Sequence, residues 1–162
     1  MRTTREDHDD IEKLDEASKK ILRVLQDNSR LSLRKIARKL RMKPTSVFNR
    51  IKKMENNGVI EEYTVILNRR KLNYKVIALI LVTYKKAKIT QHELALKISR
   101  FKQVLDVFII SGAWDLVLKV VAKDVDSLGN FITEKLRTIQ EIDKTQTLIV
   151  LEEVKNSPKI PI

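Results

Sequence analysis

The chain has 162 residues, is 43% hydrophobic, carries a net charge of +12 and contains no cysteine. That length suits one domain or two small ones, and no apolar run approaches the roughly 20 residues of a membrane-spanning helix. Disulfides, thiolate metal sites and cysteine nucleophiles are excluded, and the opening MRTTREDHDD lacks the apolar stretch of a secretory signal, so a cytoplasmic setting is expected.

The charge is unevenly placed. Residues 1–16 sum to −4, residues 17–60 to +11 and residues 61–162 to +5. Between Arg34 and Lys53 there are nine cations and no acid. Solvated helix faces normally mix signs, because like charges one turn apart oppose the helix. A patch of one sign and this density implies a polyanionic partner.

In chain order, residues 1–13 form an acidic extension whose like charges favour disorder. Residues 14–60 then fit three helices. Asp15 can cap the first, with Ile21, Leu22 and Leu25 on one face and Asn28 near its end. Ser32 can cap the second, where Leu33, Ile36, Ala37 and Leu40 recur at helical spacing. Pro44 suits the first position of the third, whose buried stripe is Val47, Ile51 and Met54 before Asn57-Gly58 stops it. Only Arg41, Met42 and Lys43 separate the last two helices, the connection of a helix-turn-helix.

With that stripe inward, Thr45, Ser46, Phe48, Asn49, Lys52 and Lys53 project outward. This face mixes cations for phosphates with short polar groups that reach base edges; an asparagine suits the paired donor and acceptor of adenine. A helix fits the major groove and reads it with its N-terminal residues. Arg34, Lys43 and Arg50 complete the expected DNA-binding set, with Arg50 also expected to pack on the first helix. The alternative is a basic three-helix bundle bound to a protein or an acidic lipid surface.

Residues 61–75 read as a hinge strand and polar linker, after which strand patterning takes over. Val76–Tyr84 is an apolar strand, and Thr90 with Glu93 forms a capping box ahead of Leu94, Ile98 and Phe101. Strands over Leu105–Ile110 and Leu116–Ala122 flank the hairpin Ser111-Gly112-Ala113-Trp114-Asp115. Asp124 can cap a helix through Leu128, Phe131, Ile132 and Leu136, and Thr145–Leu151 is a final strand. The order is βαββαβ, so the fold class is α+β: a helix-turn-helix (winged-helix-like) domain followed by a ferredoxin-like domain over 76–162. Val76–Val82 and Leu116–Val121 are apolar on nearly every residue, which predicts a sheet buried on both faces. The helices cover only one, so a second copy of the chain is the economical cover.

Four segments in order resemble the Lrp/AsnC, or feast/famine, transcription regulators of archaeal type: LDEASKKIL, KPTSVFNRIKKMENNGVIEEY, SGAWD and TQTLIVL. The resemblance runs from about Leu14 to the end. It implies a regulator of double-stranded DNA whose second domain binds an effector and joins chains into dimers, commonly assembled as tetramers or octamers. It also implies an amino-acid effector between subunits, near Ser111, Gly112, Ala113, Trp114 and Asp115, with Thr145 and Thr147 on the last strand. There the turn N–H groups would hold a carboxylate, Asp115 an ammonium and a threonine a hydroxyl contact. The alternative is that SGAWD is only a turn. Family members usually have a glycine near Arg41 and a serine cap where Lys43 stands, which predicts a tight turn and an uncapped third helix.

No catalytic, cofactor or metal site is expected. The two histidines, His8 and His92, are far apart in sequence and cluster with no ligand set, and no phosphate loop or nucleophile motif occurs. The runner-up from another class is an enzyme, since sirohaem decarboxylases share the family's two domains; a third reading is a sequence-neutral chromatin protein.

Overall fold

The computed structural model describes residues 14–85 and 89–162, so the acidic extension 1–13 lies outside the described residues. The chain divides into two compact units, one made of residues up to Ile66 together with Ser157–Ile162, the other of Leu67–Asn156.

The first unit holds three helices: α1 (Glu16–Asp27), α2 (Leu33–Leu40) and α3 (Pro44–Asn56). Asp15 caps α1 by accepting from the Ser18 N–H, and Ser32 caps α2 by accepting from the Lys35 N–H. Ile21, Leu22, Val24, Ile36, Ala37, Val47, Ile51 and Met54 make one core. Leu33 departs from the expected buried stripe and is 36% exposed. It occupies the first position of α2, where the side chain has no preceding helical turn to lie on. Arg41 adopts the left-handed conformation, with φ 54°, and ends α2. The Met42 N–H then reaches back to the Ala37 carbonyl, closing the tight turn expected there.

One side chain ties α3 to α1. Arg50 Nη1 donates to Asp15 Oδ2 and, at 3.1 Å, to the buried Ser18 Oγ. Asp15 therefore caps its own helix with one oxygen and holds α3 with the other. The guanidinium beside it, helped by the Ser18 N–H, lowers its pKa from 3.8 to about 2.

In the second unit, β1 (Val76–Tyr84), β2 (Val104–Ile109), β3 (Leu116–Ala122) and β4 (Ile142–Ile149) form one antiparallel sheet in the order β2-β3-β1-β4. Helix α4 (Gln91–Ser99) follows β1, and α5 (Val125–Phe131) follows β3, widening into a π-helical turn over Ile132–Leu136. Alternate residues share a face, so Ala78, Ile80 and Val82 of β1 and Leu116, Leu118 and Val120 of β3 meet Leu94, Ile98, Leu128 and Phe131 in the core. The edge-to-face pair Phe101–Phe131 extends that layer.

Three strand readings differ from expectation, the smallest being β2, which covers Val104–Ile109 against the expected Leu105–Ile110. The last strand begins at Ile142 rather than Thr145 and ends at Ile149. It is an edge strand, paired only with β1, and charged side chains such as Asp143 and Lys144 are tolerated on a sheet edge. The expected short strand at the start of 61–75 makes no ladder with any described residue; Val65, Ile66 and Leu67 are all exposed. A strand needs a neighbour for its backbone groups, and none of the described strands lies beside this one.

On the sheet face away from the helices, Leu79, Leu81 and Val117 are half-buried and Phe108 and Leu148 exposed. Lys119, on the same face, lies 3.8 Å from Glu153, which also approaches Arg69 at 3.9 Å.

The clasp on Arg50 makes acid stability predictable. A carboxyl whose pKa is depressed by folding stabilises the fold above its unfolded value and loses that contribution as pH falls through the folded one. The Asp15 contribution is therefore present above about pH 4 and lost toward about pH 2. Arg50→Ala should bring the Asp15 titration, followed by carbonyl NMR, back up toward its ordinary value. It should also lower the thermal midpoint of the first unit at neutral pH.

Candidate nucleic-acid interface and ligand groove

Helix α3 begins at Pro44, with Lys43 at the cap position and no side-chain hydrogen bond to the first turn. Its first N–H groups are thus left for water or for an anion, and the partial positive charge of a helix start favours the latter. Thr45, Ser46, Asn49, Arg50 and Lys53 line one open groove of about 440 Å³ on this helix. Five of the nine residues expected to meet DNA therefore come together.

The other four stand around that group. Lys43 is exposed at the helix start, Phe48 is 45% exposed and Arg34 is exposed on α2. Lys52 Nζ donates to Glu55 Oε2 at 2.7 Å, while Tyr63 Oη donates to the other oxygen at 3.0 Å. The lysine, followed by the tyrosine hydroxyl, lowers the Glu55 pKa; burial and that carboxylate raise the Tyr63 hydroxyl to about 12. Sequence reasoning missed Tyr63, whose only signal was its place just past the helix stop. Arg50, by contrast, is engaged through Nη1 with Asp15 and Ser18 while still lining the groove.

In the second unit, the hairpin Ser111–Asp115 joins β2 to β3 as expected. Gly112 sits at φ 128°, a conformation open to glycine, with nothing within 4 Å of a notional Cβ. Ser111, Gly112 and Ala113 are exposed. Asp115 turns inward: its Oδ2 accepts from the Tyr84 N–H at 2.7 Å, its own N–H donates to the Val82 carbonyl, and its carbonyl accepts from Gln91 Nε2. The carboxylate thus fastens the hairpin to the end of β1, and among the described residues its Oδ1 accepts no hydrogen bond.

Trp114 and Thr145 come together with Arg137, Ile142, Asp143, Lys144 and Gln146 around an open groove of about 610 Å³. Thr147 shares the face of Thr145 but lies opposite Ile80, outside that lining. Arg137 Nε donates to Thr145 Oγ1 at 3.3 Å. Sequence reasoning missed Arg137, since a lone arginine after a helix carries no distinguishing pattern. Among the described residues no group of three metal-ligating side chains occurs, and His92 is exposed at the start of α4.

The geometry separates two lysines that the sequence treats alike. Lys53→Ala should lower the salt dependence of DNA binding by roughly one unit in the logarithmic slope. Lys52→Ala should lower it by less, because Glu55 already neutralises part of its charge. Fluorescence anisotropy titrations at several salt concentrations measure both slopes; equal losses would contradict this.

Comparison with known proteins agrees with both halves of this description. A winged helix-turn-helix DNA-binding family matches residues 14–61, and the Lrp/AsnC ligand binding domain matches residues 77–160. An HTH-type transcriptional regulator of Pyrococcus horikoshii is 35% identical over 143 residues, spanning 88% of this chain and 95% of its own. The Bacillus subtilis transcriptional regulator AzlB is 33% identical over 150 residues, spanning 92% and 96%. The crystal structure of a transcriptional regulator from Neisseria meningitidis in complex with L-Met superposes with a TM-score of 0.88 at 28% identity, covering 91% of this chain and 96% of that one. With a three-helix unit, a βαββαβ sheet domain and these relatives, the chain belongs to the Lrp/AsnC family of helix-turn-helix transcription regulators.

Proposed function

We propose that this protein regulates transcription as a homodimer or larger assembly, reading specific DNA with α3 and responding to an amino acid or close relative held between subunits. The observation that carries the DNA reading is the outer face of α3, which carries no acid from Pro44 to Lys53. There Thr45, Ser46, Asn49 and Lys53 share one open groove, and the helix beneath them is fixed by Arg50. Asn49 and Ser46 are the base readers, while Lys53, Lys43 and Arg34 bind phosphates.

Assembly is supported by the apolar sheet face. Leu79, Leu81, Val117, Phe108 and Leu148 form a contiguous patch whose exposure a second copy would remove. Two reading heads would then meet two half-sites.

The effector reading draws on the L-Met complex of the Neisseria relative and on the hairpin. Exposed N–H groups at Ser111–Ala113 are suited to a carboxylate, and Asp115 Oδ1 to an ammonium. Thr145, which lines the groove, or Thr147 on the same face supplies a hydroxyl, with Arg137 beside Thr145 as a further anion contact. Ligand and DNA occupy different units, so their coupling requires two assembly states that the ligand binds unequally.

Selection of bound sequences from a random DNA pool tests the first part. A defined motif should emerge, and Asn49→Ala should relax it at one base pair, with a loss on the order of 1–3 kcal/mol at the preferred site. An unchanged motif would remove Asn49 from the readers, and no motif at all would favour the sequence-neutral alternative.

Calorimetric titration of the twenty amino acids tests the second. Asp115→Asn keeps an oxygen for the Tyr84 N–H but removes the charge, so it should weaken the effector by roughly tenfold or more. Equal affinity for both proteins would show that Asp115 is only a hairpin fastener. If none binds at millimolar concentration, regulation proceeds without an amino acid and the DNA reading stands alone.

A further inference from the structure

After Asn156 the chain leaves the second unit and rejoins the first. Residues 157–162 lie along one side of α1, against Arg23, Gln26 and Asp27, which stand three and four positions apart and so share a face. Gln26 takes both main-chain groups of Ile160: its Oε1 accepts from the N–H at 2.7 Å and its Nε2 donates to the carbonyl at 3.1 Å. Arg23 Nε donates to the Ile162 carbonyl oxygen at 2.7 Å, and Lys159 Nζ pairs with Asp27 Oδ1 at 2.7 Å. The Ile162 side chain packs against the three-helix core. The hydrogen bond from Lys159, followed by its charge, lowers the Asp27 pKa, in keeping with a formed pair.

We infer that residues 157–162 are a releasable second tether of the DNA-binding unit, docked on the Arg23–Gln26–Asp27 face of α1. Docked, the segment completes that unit and gives it two chain connections to the second one, limiting its reorientation about residues 61–75. Released, the unit hangs on a single connection and its reading helix samples more orientations. Every polar contact is exposed, so each is individually weak. Four of them with one partly buried apolar side chain hold a six-residue segment whose covalent attachment keeps its local concentration high. Such a clasp is strong enough to be occupied and weak enough to open.

The test uses the full chain, a variant ending at Asn156 and Gln26→Ala, each followed by amide exchange in α1 and by 15N relaxation of the first unit. Removing the segment should speed α1 exchange by roughly fivefold or more and shorten the first unit's rotational correlation time relative to the second. Adding the peptide SPKIPI in trans should restore exchange protection but leave the correlation time short, because a free peptide tethers nothing. If the shortened chain fails to fold, Gln26→Ala decides. Alanine is a good helix former, so this variant should keep α1 while moving both readouts in the same directions. Unchanged relaxation in the variant that folds overturns the tether, as does full recovery of slow tumbling with the free peptide. Contacts between α1 and the segment of a different chain, seen in a mixture of labelled and unlabelled protein, would overturn its assignment to the same chain.

Discussion

The first unit depends on a single carboxylate. Asp15 stands at the start of α1, satisfies its Ser18 N–H and grips Arg50 of α3. The cap and the clasp use different oxygens, so neither competes with the other. Ser18, buried beneath them, accepts from the same guanidinium and leaves no polar atom unmet. The result is that the rotation of α3 about its own axis is set by α1 rather than by the surface groups it presents. This frees the outer face to be chosen for a ligand instead of for stability.

That freedom is visible in the electrostatics. Nine cations without an intervening acid repel one another, and the helix that bears the last of them starts at Pro44 with no side-chain cap from Lys43. Both features oppose an isolated helix. They are tolerated because Val47, Ile51 and Met54 are buried and Arg50 is fastened. On the DNA reading proposed above, the exposed charge and the open first-turn N–H groups would be satisfied together by phosphate. Glu55, the first acid after the run, is turned toward Lys52 and Tyr63 at the far end of the helix, away from the reading positions.

Much of this was legible in the sequence, for identifiable reasons. Caps at Asp15, Ser32, Thr90 and Asp124 are local chemistry, so four helix starts could be placed to the residue. Helical spacing gave the stripe Val47-Ile51-Met54, and the apolar runs gave β1 and β3. The illegible parts depend on distance in sequence. Charged Asp143 and Lys144 conceal the start of β4, because only the sheet order makes that strand an edge. The inward turn of Asp115 depends on the Tyr84 N–H, 31 residues away. The docking of Ile160 on Gln26 spans 134 residues and involves no side chain of Ile160 at all. For the last, the pattern Lys-Ile-Pro-Ile offered only a faint cue, apolar residues held extended by a proline.

The Gln26 contact has a consequence for divergence. An amide that reads a main-chain N–H and carbonyl together is blind to the side chain between them, and that of Ile160 stands largely in water, 70% exposed. Position 160 is therefore free to drift to almost any residue while the docked segment persists. Proline is the exception, since it has no N–H to give. Selection would instead fall on Gln26 itself and on the apolar character of position 162. The recognisable trace of this arrangement among related chains would then be a glutamine on the first helix paired with an apolar residue near the other end of the polypeptide, with little resemblance in between.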